Sequence, residues 1–94
     1  MEQLERIKRM ERLLAQAMQA VKALSEALDG YEAAQPAIRA LEAYYGSREW
    51  KKDFTDDERG WLPKELERGV LSEDAIWNLL EDDHALKERM QANG

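Results

Sequence analysis

Apolar residues in the first third of the chain recur every seven positions. Ile7, Leu14, Val21 and Leu28 hold one place in the repeat, and Met10, Ala17, Leu24 and Tyr31 hold the place three residues further on. A helix turns once in about 3.6 residues, so this spacing lays both sets along one stripe, the a/d seam of a heptad. Between them stand mostly Ala, Glu, Gln, Lys and Arg, with no glycine before Gly30 and no proline before Pro36, a composition that favours helix throughout. Asp29-Gly30 reads as a C-cap and Gln35-Pro36 is the first hard stop, so the pattern predicts a helix end somewhere in 30–36. Pro36 then opens a second helix with Ile38, Leu41 and Tyr45 on one face, closed by Gly46-Ser47.

Beyond Ser47 the predicted pieces are short. Ser47 can cap a turn through Trp50 and Phe54, Thr55-Asp56-Asp57-Glu58 offers a second cap, and Gly60-Trp61-Leu62-Pro63 reads as a loop. Pro63 can open a short helix to Arg68, closed by a left-handed Gly69, with Val70 and Leu71 tucked inward. Ser72 followed by Glu73 and Asp74 is an N-terminal cap with acids in the first turn. Behind it, Ala75, Ile76, Leu79, Leu80, Leu86 and Met90 share a helical face. No segment alternates with period two, so no sheet is expected.

The predicted fold is all-α, a single helical domain over residues 1–94. A long N-terminal helix packs lengthwise with a second helix, an irregular aromatic connector and a C-terminal helix, as an elongated three- to four-helix bundle. A helix from Leu4 to Ala33 would be roughly 45 Å long at its usual rise, against a radius of gyration of about 12 Å for a compact chain of this size. Either the remaining helices lie along it or part of the seam is buried against another chain. Intramolecular packing is the first expectation and self-association the second.

Composition narrows the function. The chain has 94 residues, a formal charge of −6 and no cysteine, so disulfide staples, thiolate nucleophiles and cysteine-based metal sites are excluded. Residues 1–30 carry five acids and five bases, and residues 31–94 carry fifteen acids and nine bases. An acidic balance is a poor match to phosphate backbones, so no nucleic-acid partner is expected. With no long apolar run and acids among the bases of the first ten residues, neither a membrane span nor a secretion leader is predicted, and the cytoplasm is the expected compartment.

The chemistry-bearing residues are sparse. Ser47 and Ser72 are explained by capping, the single His84 stands far from every hydroxyl nucleophile, and no oxyanion or phosphate-cradling loop occurs. Two acid clusters, Asp53/Asp56/Asp57/Glu58 and Glu81/Asp82/Asp83 beside His84, permit a metal-assisted enzyme. They lack the ligand spacing of a calcium loop and read more simply as solvated faces, so no metal or cofactor is expected. The bases Arg6, Lys8, Arg9 and Arg12 have Glu2, Glu5 and Glu11 at helix-pair spacing. Five of the seven aromatic residues fall between Tyr44 and Trp61, where large rings either complete a small core or form an acid-ringed surface for a partner.

The quoted residues also carry a resemblance. Ile7 to Met10 with Glu11, Leu28-Asp29 with Tyr31, Ile38 with Leu41-Glu42, Tyr44-Tyr45, Trp50, Asp53, Leu62-Pro63 and above all Gly69-Val70-Leu71-Ser72-Glu73-Asp74-Ala75 make the chain similar to a family of short bacterial proteins, domain of unknown function 4298. The likeness runs from about Gln3 to Met90. It implies a bacterial, soluble helical protein with no activity attached and no catalytic residues to carry over.

The expected role is therefore a protein–protein interaction module rather than an enzyme, with a foreign protein or a second copy, such as a homodimer, as partner. Its candidate surface comprises Trp50, Asp53, Phe54, Asp56, Asp57, Trp61, Arg68, Glu73, Asp74 and Trp77. Its candidate self-association seam comprises Ile7, Met10, Leu14, Val21, Leu24, Leu28 and Tyr31.

Overall fold

The computed structural model describes residues 1–93. Three α-helices follow one another, α1 over Glu2–Tyr45, α2 over Arg48–Glu58 and α3 over Ala75–Asn93, with a 3-10 turn over Gly69–Leu71 between the last two. No strand occurs among the described residues, and the fold is all-α. The chain divides into two compact units, Met1–Gln35 and Pro36–Gly94.

The first unit is helix alone. Every residue from Met1 to Ala27 is exposed, the seam included. Within its own unit this lone helix has no second layer on which to bury the stripe.

The predicted end in 30–36 is also overturned, because α1 continues through Gly30 and Pro36 to Tyr45. Gly30 does not adopt the left-handed conformation a C-cap requires. Pro36 withholds one N–H from the helix, yet the helix-forming residues on both sides carry the chain through it. What the punctuation marks is the division between units at Gln35 and Pro36, not a helix terminus.

In the second unit the caps set the element boundaries. Ser47 Oγ accepts from the Trp50 N–H at 3.2 Å and opens α2. The helix then runs past Thr55, where a new cap was expected, to Glu58. It closes on Gly60, whose φ of +74° lets its N–H reach the Asp57 carbonyl and the Trp61 N–H reach the Asp56 carbonyl, both at 3.0 Å. This is the paired closure of a Schellman end, which favours a residue without a Cβ.

The short helix expected over 63–68 is absent. Arg68 instead folds back to donate to the Pro63 carbonyl at 2.6 Å and the Leu66 carbonyl at 3.4 Å. Gly69, expected to be left-handed, has an ordinary negative φ and begins the 3-10 turn.

The core of this unit is small. Leu71 of the 3-10 turn and Ile76 in the first turn of α3 are its two buried apolar residues, and the turn packs on both α2 and α3. Ile38, Leu41 and Tyr45 of α1 are half-buried, as their spacing predicts. On α3 the covered face is Ile76, Leu80, Asp83 and Met90, while Leu79 and Leu86 stay exposed.

Candidate functional site

The aromatic connector is built around Trp50. Capped by Ser47, the first turn of α2 directs this indole against Tyr45, edge to face with centroids 4.9 Å apart, and stacks it on Phe54 at 5.1 Å. Its indole N–H donates to the Val70 carbonyl at 2.8 Å, tying α2 to the 3-10 turn. The Tyr45 hydroxyl donates to the Glu73 carbonyl at 3.3 Å and ties the end of α1 to the turn that opens α3. Ser72 serves that turn twice: its hydroxyl donates to the Gly69 carbonyl at 3.0 Å and accepts from the Ala75 N–H at 3.2 Å.

The charged groups around this cluster are paired. The Tyr44 hydroxyl donates to the Asp53 carboxylate at 2.7 Å. Loss of water around the phenol, then the hydrogen bond and negative charge of Asp53, push the Tyr44 pKa up to about 12, because all three disfavour the phenolate. Arg68 makes a close ion pair with Asp57 through the same guanidinium that holds the Pro63 and Leu66 carbonyls. Lys52 lies 3.7 Å from Asp56. On α3, Lys87 pairs with Asp83 at 3.0 Å, and His84 faces Glu88 at 3.1 Å. Among the described residues no three His, Asp or Glu side chains gather where a metal ion can sit.

Of the residues singled out in the sequence, the fold stacks Trp50 on Phe54, pairs Asp53 with Tyr44 and pairs Asp57 with Arg68. Trp61 and Trp77 stand apart and outward, 66% and 52% exposed, Trp61 with the Arg59 guanidinium 4.9 Å above its ring. Glu73 and Asp74 are exposed at the mouth of α3, where their backbone carbonyls accept from Tyr45 and Asn78. Sequence reasoning missed Tyr44 as the partner of Asp53. The available signal was a tyrosine followed nine residues later by an acid across a capped turn.

The seam forms the other candidate site. Ile7, Met10, Leu14, Val21 and Leu24 are 49%, 50%, 54%, 71% and 61% exposed, whereas Leu28 and Tyr31 are half-buried. Leu13 and Met18 widen the stripe, at 45% and 63%. A shallow apolar groove runs along this helix between Ala17, Met18 and Val21, bordered by Lys22, Ser25 and Glu26. No helix among the described residues is long and apolar enough to cross a membrane.

No curated protein and no solved structure matches the chain. A family model, described as Domain of unknown function (DUF4298), matches residues 7–92, which include both the seam and the whole connector. The chain thus belongs to the family described as Domain of unknown function (DUF4298).

Proposed function

We propose that the protein is a protein–protein interaction module of the bacterial cytoplasm, without catalytic activity, that works through the heptad face of α1. One observation carries this reading. Five large aliphatic side chains, Ile7, Met10, Leu14, Val21 and Leu24, stand at a/d spacing on one face of a helix and are each about half exposed or more. A contiguous apolar stripe on a water-facing helix lowers its free energy only when another surface covers it. The connector supports the non-catalytic half of the reading. Asp53, Asp57, Arg68 and Tyr44 are engaged with one another and with backbone carbonyls, in roles that hold the turn together.

The test is the double variant Leu14→Glu and Val21→Glu in the tagged full-length chain, isolated from its own cell lysate and weighed as an intact complex. Retained helicity by circular dichroism and a cooperative melt report that the variant still folds. Loss of the bound protein, whether foreign or a second copy, is the expected outcome. Equal retention of that protein by variant and wild type would overturn the reading. A second reading places the contact at Trp61 and Trp77, the two outward indoles. It predicts that Trp61→Ala and Trp77→Ala, not the seam variant, abolish capture.

A further inference from the structure

The seam carries information about its own partner. Its flanks are charged in opposite senses at equal distances from residue 19: residues 6–12 hold Arg6, Lys8, Arg9 and Arg12 against one acid, Glu11, and residues 26–32 hold Glu26, Asp29 and Glu32 with no base. An antiparallel pairing centred on residue 19 sets each basic segment beside an acidic one. A parallel pairing sets basic beside basic and acidic beside acidic.

Side-chain size follows the same symmetry. Antiparallel heptads place an a residue opposite a d residue. In this register Ile7 meets the partner's Tyr31, Met10 the partner's Leu28, Leu14 the partner's Leu24, and the small Ala17 the branched Val21 of the partner. Parallel pairing would put Ala17 against itself and open a gap in the middle of the seam. Outside the seam, Lys8 at a b position comes level with the acids Asp29 and Glu32 of the opposite helix, and Lys22 comes level with Gln16. All five of these side chains are exposed. Gly30, the weakest helix former in the stretch, falls at an outward position of the repeat.

We infer that the face over residues 7–31 binds a second copy of this chain as an antiparallel two-stranded coiled coil centred on residue 19. The inference rests on the reading of the seam as an interaction face and names its occupant.

The absence of cysteine from the chain makes the test direct. Full-length Leu14→Cys and Leu24→Cys variants are mixed in equal amounts, oxidised in an equilibrating thiol buffer and weighed, and the wild type is sedimented over a concentration series. The expected result is a dimeric wild type and a mixed disulfide, position 14 to position 24, that outweighs either same-site dimer by about tenfold. Lys8→Glu should weaken the dimer about tenfold, and adding Glu32→Lys should restore it. Predominance of same-site disulfides would overturn the antiparallel register. A wild type that sediments as a monomer throughout would overturn the second copy as occupant. In that case seam-dependent capture of a foreign protein would leave the interaction reading standing, so the two failures are distinguishable.

Discussion

Tyr44 shows how single residues hold this small fold together. Its phenol is kept protonated by burial and by the Asp53 carboxylate, which raises its pKa from 10.0 to about 12. A raised acid pKa means that the folded state holds its proton more tightly than the unfolded chain. The associated stability is complete below pH 10, falls as pH rises from 10 and is gone above 12. Denaturant melts of the wild type should therefore lose stability over that interval. Tyr44→Phe should be less stable at neutral pH and should lack this Tyr44-linked loss, and an identical alkaline profile in both proteins would remove Tyr44 from the account. Arg68 acts on the same scale. One guanidinium serves a carboxylate and two backbone carbonyls, so Arg68→Ala should destabilise the second unit by about 1–2 kcal/mol in urea melts, and Arg68→Lys should recover only part of that because an ammonium cannot reproduce the fork.

At the scale of elements, the ends of α2 are set by two residues. Ser47→Ala should cost about 1 kcal/mol through the lost cap, and Gly60→Ala about 1–2 kcal/mol, because a Cβ is strained at its φ of +74°. In α1 the signs reverse. Gly30 is helical with open space where a Cβ would go, so Gly30→Ala should stabilise the helix by about 0.5–1 kcal/mol, read as raised helicity and a later thermal transition. These positions also show what the sequence could disclose. Ser47 announced its helix because a cap is a local event, one hydroxyl and the N–H three residues on, whereas α3 begins only at Ala75, so Ser72, Glu73 and Asp74 precede it instead of forming its cap and acidic first turn. Gly30 and Pro36 misled because a breaker's effect depends on the strength of the helix around it, and the residues on either side are strong helix formers. The 63–68 segment misled for a third reason: Arg68 reaches back to the Pro63 carbonyl while it pairs with Asp57, eleven residues earlier, and a contact at that separation is not written in the local pattern. The exposed seam was legible as a stripe, while its lack of cover within its own unit is a property of the assembled chain that periodicity alone cannot report.

At the scale of the molecule, the two units do different work. The second encloses Leu71 and Ile76 and turns its polar groups on one another. The first holds no buried residue and presents an aliphatic stripe to water. Helices in proteins gain most of their stability from packing an apolar face, so α1 gains most from a partner that covers that stripe. The decisive measurement is amide hydrogen exchange over residues 7–31 of the purified full-length chain, followed as a function of protein concentration. Closure of the seam by a second copy predicts slow exchange that slows further as concentration rises and that Leu14→Glu abolishes. Exchange at the rate of a free helix, unchanged by concentration and by that substitution, would contradict a second copy as the occupant of the seam.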